Sequence, residues 1–131
     1  MFNMKALVLS NNKFEVKEIK NELEELQKIV GGYIEIPYLS KRFFENGIDI
    51  IINEEGKFIE GLKPEIAVVN RDNNKVVDIV FGNCIFASHD EEGYTTELTE
   101  EQMRIVLREM QTEVILSNNA DKNFVCKVLF V

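Results

Sequence analysis

Between residues 48 and 88 the chain breaks into apolar runs of strand length separated by tight polar turns. IDIII (48–52) is followed by NEEGK (53–57), IAVVN (66–70) by RDNN (71–74), and KVVDIVFG (75–82) by CIFAS (84–88). Short apolar runs bounded by Asn, Asp and Gly read as strands, because a helix needs a longer stretch with a 3.6-residue period. This punctuation indicates many short strands. It also lacks the regular strand–helix alternation of a doubly wound α/β fold.

The amino-terminal part follows the same logic. KALVL (5–9) reads as a buried strand and Asn11-Asn12-Lys13 as a turn. Phe14, Val16 and Ile19 mark a second strand, completing a hairpin. The first helix is expected over about 21–30, with Asn21 as N-cap and Glu24 three residues on. Leu23, Leu26, Ile29 and Val30 form its apolar stripe and Gly31-Gly32 its stop. YIEIPYL (33–39) carries Pro37 and suits an edge strand or a strand end. SKRFFENG (40–47) reads as a helical turn or loop, and 90–93 as a loop.

The second helix, about 99–111, carries the clearest local signal. Thr99 and Gln102 make a capping box, and Glu100 and Glu101 favour the positive helix end. Met103, Val106, Leu107 and Met110 are its expected core stripe. TEVILS, a polar turn over 118–122 and FVCKVLFV then predict a carboxy-terminal β-hairpin over 112–131. The last strand is apolar on both faces apart from Lys127, so it must be covered on both sides or paired with another subunit. A homo-oligomer is the expectation. These elements make a single α+β domain, 1–131, with a mainly antiparallel sheet and two principal amphipathic helices.

Charge limits the partners. The chain has 15 Lys and Arg against 23 Asp and Glu, a formal net charge of -8. Binding to double-stranded nucleic acid needs a basic surface, which this balance opposes. MFNMKALVLS is too short in its apolar run for a secretory signal. No stretch reaches the roughly 18 apolar residues of a membrane helix. The chain is read as cytoplasmic, without a membrane partner.

Little in the sequence points to catalysis. Cys84 and Cys126 sit in apolar strand-like runs and read as reduced core thiols. His89 is the one histidine, so a zinc site is not expected, and a Cys84–His89 nucleophile pair is a weak alternative. Gly-rich phosphate loops, a GxSxG elbow and paired histidine–carboxylate motifs are missing. Glu54-Glu55 and Glu91-Glu92 fall in expected turns, where charge ordinarily serves solvation. A binding protein without cofactor or metal fits better than an enzyme.

Two features suit a ligand. Arg104 and Arg108 stand one helical turn apart, where like charges cost a few tenths of a kcal/mol. Glu100 can offset Arg104, whereas no acid follows Arg108 at 111 or 112. The ordinary reading is two solvated arginines, and the functional one is an anion clamp gripping phosphate with planar forks. In VFGNC (80–84), Phe81 can stack on a nucleobase, Gly82 allows close backbone approach and Asn83 offers donor and acceptor. A phenylalanine in an apolar run is more often core. Two charge-assisted contacts at about 1.5–3 kcal/mol each and one stacked base at about 1–3 give weak to micromolar affinity. Tight binding would need an enclosing pocket finished by another subunit.

Four segments, LQKIVGGYIEI (26–36), NEEGKFIEGL (53–62), VVDIVFGNCIF (76–86) and LTEEQMRIVLREM (98–110), occur in an order that resembles a family of small domains carried by phages and plasmids. In that family a leucine-rich helix ends in GGYIE, a DEEGK-like turn follows, and an LTxEQ helix closes the pattern. The resemblance covers about residues 5–110. It departs after Gly61, where family members often have Pro-Asn-Arg and this chain has KPEIAVVNR. The neighbourhood includes phage inhibitors of Thoeris defence. These sequester the cyclic ADP-ribose isomer made by a TIR-domain enzyme without cleaving it, and related members are implicated with cyclic oligonucleotides. The resemblance implies a multimeric sponge, with Arg104 and Arg108 as the clamp and Phe81 as the stacking aromatic. Asn83 joins that set by proximity alone.

Two other classes stay open from sequence. An acidic DNA mimic would block restriction or other DNA-binding proteins, with no role for the arginine pair. A phosphodiesterase acting on cyclic nucleotide signals would alter its ligand rather than hold it.

Overall fold

The structure is a computed structural model that describes residues 3–117 and 122–131. Strands β1 (Asn3–Ser10) and β2 (Lys13–Lys20) pair antiparallel along their whole length. Their two-residue turn, Asn11-Asn12, has φ of 51° and 62°. Asparagine tolerates this left-handed conformation, which matches the twist of a tight hairpin.

Helix α1 (Leu23–Val30) begins later than the expected Asn21 cap. Glu22 occupies the N-cap position with no side-chain bond. Asn21 instead donates its amide to the Thr95 carbonyl at 2.7 Å, a tertiary bond in place of a local one. Leu26 and Val30 are buried, but Leu23 is exposed, outside the stripe assigned to it. Gly31 stops the helix in the left-handed region at φ 86°, and the Gly31 and Gly32 amides both donate to the Gln27 carbonyl.

A two-residue β3 (Ile34–Glu35) ends before Pro37, as an edge position requires. Helix α2 (Lys41–Glu45) is capped by Ser40, whose hydroxyl accepts from the Phe43 amide. Strand β4 (Asp49–Asn53), a 3-10 turn (Gly56–Phe58), β5 (Pro64–Val69), β6 (Val76–Phe81), β7 (Cys84–His89) and the short β8 (Thr95–Thr96) follow. Helix α3 (Glu100–Glu109), β9 (Glu113–Ser117) and β10 (Asn123–Phe130) complete the order. The turn expected at 118–122 lies outside the described residues apart from Lys122. None of the described helices is long and apolar enough to cross a membrane.

The strands form two sheets, giving an α+β fold. One has the order β2-β1-β7-β4-β3 with β8 paired to β7, and the other the order β6-β5-β10-β9. Every described pairing is antiparallel except β5 with β10. The VFGNC tract therefore spans a crossover: Phe81 ends a strand of the second sheet and Cys84 begins one of the first.

The main core lies between the sheets. Leu7 and Leu9 of β1 and Phe86 of β7 meet Ile66 and Val68 of β5 and Leu129 of β10. Ile105, Val106 and Met110 of α3 join them. The α3 stripe is thus turned from the expected one: Ile105 is buried, Met103 half-buried, and Leu107 exposed. Alternate residues of β1, β4 and β7 face the other way, where Ala6, Val8, Ile51 and Ile85 bury Leu26 and Val30 of α1.

The last strand takes its cover from its own chain. β10 sits between β5 and β9, so both of its edges are paired. The β5 pairing joins residues 61 apart in sequence, Lys127 with Ile66 through Phe130 with Val69, beyond what a local pattern shows. The faces of β10 are covered only in part: Cys126, Val128 and Leu129 are buried, while Val125 is exposed.

Candidate functional site

Segments remote in sequence converge where the first sheet hands over to the second. The Asn53 side chain is buried between them. Its Nδ2 donates to the Val30 carbonyl at 3.2 Å, closing the end of α1. Its Oδ1 accepts from the Glu55 amide at 2.8 Å, shaping the NEEGK turn. A Cβ on Gly32 would stand 2.9 Å from Asn53 Nδ2, and one on Gly56 would stand 2.7 Å from the Phe81 carbonyl oxygen. GGYIE, NEEGK and VFGN are thus one packed junction, and their glycines are there for close approach.

Phe81 and Asn83 lie on either side of the chain at Gly61–Lys63. On the Asn83 side, a cleft of about 350 Å3 is bordered by Asn11, Lys28, Lys63 and Glu65. Asn83 is partly committed there, since its Nδ2 donates to the Ile29 carbonyl at 3.2 Å. On the Phe81 side, a cleft of about 490 Å3 is lined by Leu62, Ile79, Leu116 and Phe124 together with Lys63. Phe81 is half-buried, placed between the core role and the stacking role the sequence left open.

Arg104 and Arg108 are both exposed on α3. Arg104 pairs with Glu101 at 2.9 Å, one residue along from the Glu100 partner expected. Arg108 has no hydrogen bond or ion pair among the described residues. The clefts bordered by Phe81 and Asn83 include neither arginine. The α3 amino terminus is tied instead to the far end of β7, through Gln102 Nε2 donating to Ser88 Oγ at 3.1 Å. Ser88 stands five positions on from Asn83, roughly 16 Å of extended chain. The four sequence-selected residues border no common cleft among the described residues.

The two thiols and the one histidine are held apart by the fold. Cys84 and Cys126 are fully buried free thiols. Burial, with a lesser push from the Glu65 charge, raises Cys84 far above the ordinary thiol range. The same two causes bring Cys126 up to about 11. Cys84 and His89 stand at opposite ends of β7, so no nucleophile pair forms. His89 Nδ1 meets Asp49 Oδ2 at 2.9 Å instead. Among the described residues no group of three or more His, Cys, Asp or Glu could hold a metal ion.

Glu65 is a residue the sequence reading passed over. It is 3% exposed on β5, and its carboxylate accepts from the Asn11 and Asn12 amides at 2.9 and 2.8 Å. A carboxylate of the second sheet thereby anchors the hairpin turn of the first. Lys63 and Phe124 were also missed, because no local pattern pairs a residue before β5 with one on β10.

No curated protein and no solved structure matches the chain. A family model described as a domain of unknown function (DUF3846) matches residues 4–112, ending just before β9. On that match, which takes in the whole junction and both arginines, the chain belongs to the DUF3846 family.

Proposed function

We propose that the protein is a non-catalytic sponge that binds and holds a cyclic ADP-ribose isomer in the cytoplasm of an infected cell, countering a TIR-domain defence enzyme. The observation that carries this reading is Arg108, an exposed arginine one turn from Arg104 and without an acidic partner among the described residues. In a chain with 23 acids, that lack of a partner suits a ligand's phosphates better than a solvated surface. Neither arginine borders the Phe81 and Asn83 clefts, so the reading includes a homo-oligomer, in which both pairs of residues reach one ligand across copies.

The test is calorimetric titration of the protein with glycocyclic ADP-ribose isomers, followed by heat release and mass analysis of the ligand. The Arg104→Ala, Arg108→Ala double variant is titrated in parallel, and the oligomeric state is measured by sedimentation. Saturable binding, intact recovery, loss in the variant and an oligomer are expected. Recovery of an altered ligand would convert the reading to a phosphodiesterase. Absence of binding by the wild type would remove it.

A further inference from the structure

We propose that the cleft at the start of β5 is a nucleotide site. Phe81 and Phe124 form its aromatic floor for a base, and Lys63 and Lys122 its rim for the adjoining phosphate. This inference rests on the proposed function only for the ligand class, a nucleotide. The cleft itself is argued from the fold.

The register of the second sheet builds the floor. Ile79 pairs with Ala67, whose side chain packs on the face turned away from the main core. Two residues on, Phe81 shares that face by strand alternation. Leu116 packs on the same face, and Phe124 pairs directly with it. Between these strands β5 begins at Pro64, opposite Phe81. The sheet is therefore interrupted, and the gap is the cleft of about 490 Å3. That volume lies within the range of small-ligand pockets, about 300–1,000 Å3.

The rim has the charge a phosphate needs. Among the described residues Lys63, Lys122 and Glu60 border the cleft, with Ser117 as a hydroxyl. Lys63 has a fixed root, because its carbonyl accepts from the Gly82 amide at 2.8 Å and Pro64 follows it. Its ammonium has no hydrogen bond or ion pair among the described residues. A held backbone whose cationic head has no partner among the described residues, on a cleft that two phenylalanines also line, suits a phosphate joined to a base. Rings offer faces for stacking and lysine offers a mobile point charge.

The experiment is titration of the full chain at low salt with adenosine monophosphate, ADP-ribose, inorganic phosphate and a glycocyclic ADP-ribose isomer. The variants are Lys63→Glu, Phe124→Leu and, as a charge control at the opposite end of β6, Lys75→Glu. Phe124→Leu keeps apolar volume on β10 and removes only the flat ring. Lys63→Glu is expected to weaken adenosine monophosphate by about tenfold or more, and Lys75→Glu by less than twofold. Phe124→Leu should weaken the nucleotide several-fold while leaving inorganic phosphate unchanged.

Equal nucleotide binding by Lys63→Glu and wild type would overturn the site. So would no nucleotide binding by the wild type. Glycocyclic binding that survives Lys63→Glu but is lost in the arginine double variant would overturn the cleft and keep the sponge. Binding of adenosine monophosphate that depends on Lys63, without binding of the glycocyclic isomer, would keep the cleft and overturn the sponge.

Discussion

Gly56 lies against the main chain of Phe81 so closely that a Cβ on it would meet the Phe81 carbonyl oxygen at 2.7 Å. A carbonyl in a strand cannot step aside as a flexible side chain can. Gly56→Ala is therefore expected to destabilise the fold by about 1–3 kcal/mol, the usual cost of overpacking. Urea denaturation would show it as a lower midpoint at unchanged slope. A midpoint equal to wild type would mean the turn moves freely away from Phe81.

Asn53 joins α1 to the NEEGK turn through two hydrogen bonds. Asn53→Ala leaves the Val30 carbonyl and the Glu55 amide without this partner, and a loss of about 1–3 kcal/mol is expected. Hydrogen exchange should locate the damage at the end of α1 and the start of the 3-10 turn. Uniform loss of protection across the protein would instead make Asn53 a general core residue.

Glu65 holds the Asn11-Asn12 turn by two charge-assisted bonds. Replacement by Ala removes both, at up to about 1.5–3 kcal/mol each, and Gln should recover part of the loss because its carbonyl still accepts. Comparing the thermal midpoints of the two variants tests this. Identical values would show that the acceptor oxygens contribute nothing beyond packing.

Thr99 accepts from the Gln102 amide while the Gln102 side chain accepts from the Thr99 amide. Thr99→Ala should cost about 1 kcal/mol, the ordinary worth of an N-cap. Gln102→Ala should cost more, because Gln102 also donates to the Asn46 carbonyl and the Ser88 hydroxyl. The reverse order by urea denaturation would show those tertiary bonds to be idle.

Both thiols have folded-state pKa values raised from 9.0, so the folded chain keeps its protons where the unfolded chain loses them. Stability from this source is complete below pH 9 and falls as pH climbs towards about 11, the value for Cys126. Urea midpoints should decline between pH 9 and 10.5, and Cys126→Ala should flatten that decline. Native protein should also resist thiol reagents at pH 8 until unfolded. Rapid labelling of the native state would contradict the burial of both groups.

Much of the architecture is a local matter, and the sequence carried it. The amino-terminal hairpin, the Gly31 stop of α1, the Thr99–Gln102 box and most strand positions depend on residues within one turn or one hairpin. Their physics acts over a few residues: left-handed backbone tolerance, capping bonds and period-two burial. The failures are of another kind. Asn21 leaves its predicted cap for Thr95, Leu107 yields its core place to Ile105, and the last strand finds β5 across 61 residues, which also brings Phe124 to the cleft that Phe81 lines. Each depends on which surface happens to stand opposite. That choice is settled by burying the most apolar area with every backbone group paired, a property of the whole chain. The same holds for the candidate site. Residue types marked Phe81, Asn83, Arg104 and Arg108 as fit for a nucleotide, but only the packing of two sheets kept the arginines out of the clefts and brought Lys63, Phe81 and Phe124 to the lining of one cleft.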